Sequence, residues 1–149
     1  MINEELELTF APASAEDVQL IFAQCKALVD AYEDTADIPY EKVLRWLEDK
    51  IRQNIAQYVK ICKNDETVGF YRLSCSDGET ELDDFYILPP FRGRGIGARV
   101  LEKCVAEVDT PMFLYVFKRN EGAICLYKRF GFGYAQDVSE TRMILRRRG

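Results

Sequence analysis

Residues 85–101 read FYILPPFRGRGIGARVL. An apolar, strand-like start is stopped by Pro89-Pro90. Three glycines at alternate positions, Gly93, Gly95 and Gly97, then follow among Arg92, Arg94 and Arg99 and run into a segment with helical spacing. Glycine is about 1 kcal/mol worse than alanine inside a helix, so three of them in an opening turn need a reason. A helix N-terminus carries unpaired N–H groups and a partial positive charge, and a bound anion satisfies both. Glycines allow phosphate oxygens to approach the backbone with no Cβ in the way. The stretch reads as strand, turn and helix, with the turn shaped as a phosphate cradle. The competing reading is a flexible glycine loop that holds nothing.

Working outward from this stretch, the chain falls into eleven elements. LELTF (6–10) alternates as a strand does. Ser14 reads as an N-cap with Asp17 three residues on, followed by Val18, Ile21, Phe22, Cys25, Leu28 and Val29 at helical spacing. EDTAD (33–37) is a loop. Pro39 suits the first position of a second helix, which carries Val43, Leu44, Leu47 and Ile51 on one face with Trp46 beside them. AQYVKICK (56–63) and TVGFYRLS (67–74) are β-rich and split by NDE, a hairpin signal. SDG (76–78) makes another turn into ETELDDFYIL (79–88). After the glycines a helix is expected over Ile96–Val108. MFLYVF (112–117) is wholly apolar, as expected of a strand buried on both faces. EGAICLYKRF (121–130) is a short helix closed by Gly131. GYAQDV and ETRMILR are final strands, and RRRG a solvated tail. The order β-α-α-β-β-β-α-β-α-β-β predicts an α/β (α+β) domain. Its sheet is mixed, mostly antiparallel, of six to seven strands, with one parallel crossover near residues 85–117 and helices on both faces.

Composition narrows the chemistry. The chain has 149 residues, fitting one domain over 1–149. Its apolar fraction of 48% argues against disorder. No apolar run approaches the roughly 18 residues of a membrane span, and MINEELELTF is unlike a secretory signal. The five cysteines, Cys25, Cys62, Cys75, Cys104 and Cys125, are odd in number with no C-x-x-C pair. That pattern is expected of reduced thiols in a cytoplasmic protein, most of them core filler. The chain has no histidine, which removes Ser-His-Asp triads, Cys-His pairs and His-ligated zinc. No metal is expected, and acid–base work falls to carboxylates, tyrosine, lysine, cysteine or water. Residues 1–90 hold 19 acids and 8 bases, whereas residues 91–149 hold 6 acids and 12 bases. An acidic protein has little general attraction for nucleic acid, but its basic half suits one compact anion.

Two known phosphate motifs fail here. A P-loop requires Lys followed by Ser or Thr, which are missing. The dinucleotide fingerprint matches Gly93, Gly95 and Ala98, but it should open a parallel sheet with an acid ending the next strand. Here a meander precedes it and the next strand ends in Phe117-Lys118-Arg119.

R-x-x-G-x-G from Arg92 to Gly97 resembles the acyl-CoA-binding signature of the GNAT superfamily of N-acetyltransferases. A second block, NEGAICLYKRFGF (120–132), is similar to that superfamily's N-x-x-A-x-x-L-Y-x-x-x-G-F segment at Asn120, Ala123, Leu126, Tyr127, Gly131 and Phe132. The resemblance covers roughly residues 68–145. It implies a GNAT-like fold and acetyl-CoA as co-substrate. The pyrophosphate would be held by backbone N–H groups of Gly93, Gly95, Gly97 and Ala98, with Arg92 and Arg94 nearby. It implies that the strand before the turn splays from the next and receives pantetheine along the amides of Phe85 and Ile87. One of these amides would also steady a thioester oxyanion. Asn120 would contact the pantetheine arm, cap a helix, or do both. Tyr127 matches the family's general acid: a phenol, with an ordinary pKa of about 10, protonates a departing thiolate while staying neutral at pH 7. Glu81 stands where several members place a catalytic glutamate. Strand alternation puts Glu81, Asp83 and Phe85 on one face and Asp84 on the other; any of these acids could serve as base through a chain of waters, with Glu81 and Asp83 the candidate catalytic pair. Lys128 and Arg129 reach the coenzyme's 3′-phosphate or are solvated. Cys125 reads as packing.

The implied reaction is direct acetyl transfer to a primary amine of a small cationic molecule or of a protein. The alternative is an acyl-CoA-binding sensor without turnover. In the family the first two helices build the acceptor side. Here they contribute Asp30, Glu33, Asp34 and Asp37 beside Tyr32 and Tyr40, an acidic and aromatic rim suited to a cation. Homodimers are common in proteins of this kind.

Overall fold

Two hairpin turns organise the sheet. Asn64 and Asp65 both sit at positive φ (52° and 64°), as do Asp77 and Gly78 (53° and 78°). Paired left-handed residues twist a two-residue turn the way antiparallel strands need. In the computed structural model, which describes residues 7–148, these turns join β2 (Tyr58–Lys63), β3 (Glu66–Ser76) and β4 (Glu79–Ile87). The remaining elements are β1 (Thr9–Pro12), α1 (Val18–Tyr32), α2 (Tyr40–Gln53), α3 (Ile96–Glu107), β5 (Met112–Phe117), α4 (Glu121–Arg129), β6 (Gly133–Asp137) and β7 (Arg142–Arg147). The seven strands form one sheet in the order β1-β2-β3-β4-β5-β7-β6, with β4–β5 the parallel pair and the rest antiparallel.

Each face of the sheet has its own core. Ile21 and Cys25 of α1 and Ile51 of α2 close over Tyr58, Phe70 and Tyr86. On the other face, Ile96, Val100, Leu101 and Cys104 of α3 and Tyr127 of α4 pack on Leu82, Met112, Leu114 and Leu145. Asp17 accepts the Ser14 N–H at 2.9 Å, so the expected capping pair forms ahead of α1.

Four expectations are corrected. The first strand is shifted, to Thr9–Pro12, with Leu6 outside the described residues; Pro12 is tolerated because β1 is an edge strand. Pro39 is the N-cap of α2 rather than its first residue. β5 buries only Met112, Leu114 and Val116, leaving Tyr115 46% exposed, because the core under α1 and α2 is built on β2 to β4 and α1 reaches β5 at its far end, where Tyr32 lies 5.9 Å from the Phe117 ring. The C-terminal arginines are not a free tail: Arg146 pairs with Glu79 at 2.8 Å, and Arg147 donates to the Phe130 carbonyl at 2.8 Å.

β3 approaches β4 so closely at Gly69 that a Cβ there would lie 2.2 Å from the Tyr86 carbonyl oxygen. Neither backbone can yield without breaking the ladder. Gly69→Ala is therefore expected to cost about 2 kcal/mol or more, a fall of roughly 5 °C in the melting midpoint, read by thermal denaturation.

Candidate active site

The glycine turn is built for bare amides. A short 3-10 turn over Pro89–Phe91 ends β4, and Gly93 and Gly95 then adopt φ of 78° and 80°. Residues with a Cβ avoid this region at a cost of about 1–2 kcal/mol. Gly95 is the N-cap of α3 and offers no side chain to it. The first intrahelical bond recorded is Arg99 N–H to the Gly95 carbonyl. The N–H groups of Ile96, Gly97 and Ala98 are thus the orphan donors of the first turn. Arg92 is partly committed, donating Nε to the Ile87 carbonyl at 2.8 Å, while Arg94 lies 5.9 Å over the Phe91 ring.

β4 leads to this turn through a gap. It pairs with β5 only at Thr80–Met112 and Glu81–Phe113, after which the strands diverge. Leu88 donates its N–H to Val68 of β3. By the two-residue alternation of a strand, the amides of Ile87 and Phe85 point away from β3 and into the gap. The splay therefore supplies two further free donors in line with the turn.

Strand alternation fails at one residue. The register between β3 and β4 shifts near Tyr71, and Asp84 stands at φ 46°. This is a β-bulge with a left-handed first residue. It puts consecutive aspartates on one face. Asp83 and Asp84 both reach Lys50 of α2, at 3.0 and 3.2 Å, whereas Phe85 turns to the opposite face and packs 6.4 Å from the Tyr127 ring. The expectation that Phe85 shares the face of Glu81 and Asp83, with Asp84 opposite, is corrected by this extra residue. Asp83 also accepts from Arg72 Nη1 at 3.0 Å. Asp84 accepts from Tyr58 at 2.5 Å, Tyr86 at 3.2 Å and the Cys25 thiol at 3.5 Å. Burial holds all three of those donors' pKa values above their usual range, with Asp84 adding to it, so they keep their protons.

Glu81 differs from its neighbours. It is half-buried, and among the described residues its carboxylate has no ion-pair or hydrogen-bond partner within contact distance. Burial, and then the charge of Asp83, raises its pKa to about 7, against the pull of Lys50 and Arg72. Burial and then Asp84 raise Asp83 as well, but Lys50 and Arg72 oppose this from hydrogen-bonding distance.

Tyr127 faces this group across the gap. It is buried on α4, and its hydroxyl has no protein partner among the described residues. Burial, then Asp83, pushes its phenol above the usual tyrosine value. Asn120 caps α4 by accepting the Ala123 N–H at 3.3 Å, and both residues line the same opening. Lys128 and Arg129 are exposed. Cys125 is exposed too, so its reading as packing is corrected; Cys25 and Cys104 are the buried thiols.

These parts line one continuous cleft of ≈ 1530 Å³. The glycine turn, Phe85, Ile87 and Asn120 lie along it with Glu81, Asp83 and Tyr127. The acidic rim is divided. Tyr32, Glu33, Asp34 and Asp37 line the cleft, joined by Glu140 and the exposed Trp46. Asp30 and Tyr40 instead bond each other at 2.6 Å beside Lys26, outside it. Asp34 beside Asp37 holds the latter's carboxyl above the ordinary aspartate range, a sign of concentrated negative charge. Lys50, Arg72, Tyr58 and Cys25 carry no motif that marks them in the sequence; only the clustering of acids in ETELDDF hints that cations must lie nearby.

Comparison with known proteins gives a consistent result. The profile of the Acetyltransferase (GNAT) family matches residues 22–132. The chain is 29% identical over 117 residues to peptidyl-lysine N-acetyltransferase YjaB of Salmonella typhimurium, covering 78% of this chain and 77% of that protein. It is 40% identical over 65 residues to thialysine N-epsilon-acetyltransferase of Mus musculus, covering 40% of this chain; the match spans only 36% of the mouse protein's length. The PaiA N-acetyltransferase of Thermoplasma acidophilum, solved in complex with coenzyme A, superposes with a TM-score of 0.71 at 19% identity, covering 96% of this chain and 99% of that one.

Proposed function

The chain belongs to the GNAT acetyltransferase family, and from that premise we propose that it transfers an acetyl group from acetyl-CoA directly to a primary amine. The observation that carries this reading is the run of free main-chain donors. It passes from the gap beside Phe85 and Ile87 to the bare first turn of α3, in one cleft with Tyr127 and Glu81. The N–H groups of Gly97 and Ala98, and the open turn at Gly93 and Gly95, suit a pyrophosphate. Arg92 and Arg94 add positive charge there. Asn120, besides capping α4, faces the pantetheine arm, and the Phe85 and Ile87 amides polarise the thioester carbonyl.

Glu81 takes one proton from the acceptor's ammonium, leaving the nitrogen lone pair free to attack. As the C–N bond forms and the C–S bond breaks, Tyr127 gives its phenol proton to the sulfur. The second proton shed by the nitrogen returns through water to Tyr127, and Glu81 releases its own to solvent. The phenol's raised pKa does not spoil the match, because the same dry surroundings raise the basicity of a thiolate leaving beside it. Asp83, held by Lys50 and Arg72, shapes the field around Glu81 rather than carrying the proton. The acceptor is a cationic amine, free or on a protein, drawn by Glu33, Asp34, Asp37 and Glu140 and packed by Tyr32 and Trp46. The two relatives' names, for peptidyl-lysine and for the ε-nitrogen of thialysine, accord with that class.

The test is thiol release from acetyl-CoA across a panel of polyamines, amino sugars, amino acids and lysine peptides. Turnover of one amine class supports the proposal; tight coenzyme binding with no turnover on any amine supports a sensor instead. With the best amine, kcat/KM corrected for the amine's own titration should fall about tenfold per pH unit below about pH 7. Glu81 must be ionised to accept a proton, and it protonates through that range. A flat profile down to pH 5 removes Glu81 as base.

A further inference from the structure

Three carboxylates, Glu81, Asp83 and Asp84, crowd into four residues of β4, and only one of them is free of partners. The cation that makes this difference comes from another element. Lys50 sits near the C-terminal end of α2 with its side chain 18% exposed and its ammonium between Asp83 Oδ2 and Asp84 Oδ2, at 3.0 and 3.2 Å. It also lies 5.6 Å over the ring of Trp46, one turn earlier on the same helix. The bulge at Asp84 is what permits a single ammonium to reach both aspartates. On a regular strand they would point to opposite faces.

We propose that Lys50 is a positioning residue: seated between Asp83 and Asp84 at the bulge, it commits both aspartates to ion pairs and leaves Glu81 as the carboxylate that receives the acceptor's proton. This rests on the acetyl-transfer reading for its role, though not for its geometry.

The groups facing the cluster are accounted for on every side. β3 contributes Arg72, on Asp83. β2 contributes Tyr58, and α1 contributes Cys25, both donating to Asp84 together with Tyr86 of β4 itself. α4 contributes Tyr127, whose phenol feels the charge of Asp83. With Glu81 ionised, three negative charges face two positive ones, a net charge of −1 that welcomes an ammonium. Without Lys50, Arg72 alone would face three carboxylates, and the neighbouring like charges would raise the Asp83 carboxyl further. Asp83 would then compete with Glu81 for the first proton. Burial works against the ammonium of Lys50, but Asp84 and Asp83 together raise its pKa, so it remains the charged partner rather than a competing base.

The experiment is a carbon-13 NMR titration of the Asp and Glu side-chain carboxyls in the unmodified protein, in Lys50→Met and in Lys50→Arg. In the unmodified protein Glu81 should take up a proton ahead of Asp83 as pH falls. In Lys50→Met the Asp83 carboxyl should titrate at least about one pH unit higher than before, and Lys50→Arg should return it to its original position. A general loss of packing would not be repaired by arginine in this selective way. An unchanged Asp83 titration in Lys50→Met would overturn the proposal. Should that variant not fold, Asp83 protonating before Glu81 in the unmodified protein would overturn it equally. The amine panel reads the other question separately: no turnover beside the expected titration order retires acetyl transfer and leaves the placement by Lys50 standing.

Discussion

Tyr127→Phe is expected to lower kcat on the order of 10²-fold while leaving the dissociation constant of acetyl-CoA within about twofold. The magnitude is what a positioned general acid contributes. The selectivity follows from the structure. The phenol ring packs against Phe85 and Phe132, and phenylalanine keeps those contacts. The lost hydroxyl has no protein partner among the described residues, so its removal orphans no buried group. Stability should change little, and calorimetric binding of coenzyme should be nearly normal. Stopped-flow measurement of thiol release separates chemistry from binding. An unchanged rate would take Tyr127 out of the mechanism and leave water to protonate the thiolate.

The second large effect is expected at the turn. Gly95→Val places a β-branched residue at φ 80°, a region that costs an ordinary residue about 1–2 kcal/mol and a β-branched one more. The chain escapes by rotating the peptide at the start of α3, which turns the first-turn donors aside. Coenzyme affinity should fall at least about tenfold, on the order of 1.4 kcal/mol, measured by calorimetry. Strain alone is separable from loss of the cradle. Gly78 also stands at φ 78° with open space where a Cβ would sit, but in the β3–β4 hairpin and away from the cleft. Gly78→Val should lower the melting midpoint comparably and leave coenzyme binding intact. Equal loss of binding in both variants would mean that the turn matters only through stability.

The site is partly legible in the sequence, and the division follows sequence separation. Gly93, Gly95 and the start of α3 can be read because a left-handed turn before a helix requires glycine locally, whatever lies around it. Asn120 as a cap and Gly131 as a stop are local in the same sense, and both are observed. The faces of β4 cannot be read past Asp83, because a bulge adds one residue to a strand without marking the composition. Nothing in DDFY says which aspartate takes the left-handed conformation; the three donors and one ammonium that Asp84 collects decide that. β5 reads as buried on both faces because hydropathy reports the cost of exposure and not whether a helix arrives to cover it.

From the chain alone came the order of eleven elements, the two hairpins, the strand–turn–helix with its bare amides, and the absence of histidine that removes imidazole from any proton transfer. These rest on backbone preferences spanning a few residues. Folding alone decided that β4 parts from β5 after two bonded pairs, that Lys50 reaches Asp83 across 33 residues of sequence, and that Glu81 is left half-buried beside them. Each of these depends on charge and burial set by distant segments, and the dielectric around a carboxylate exists only once those segments have packed.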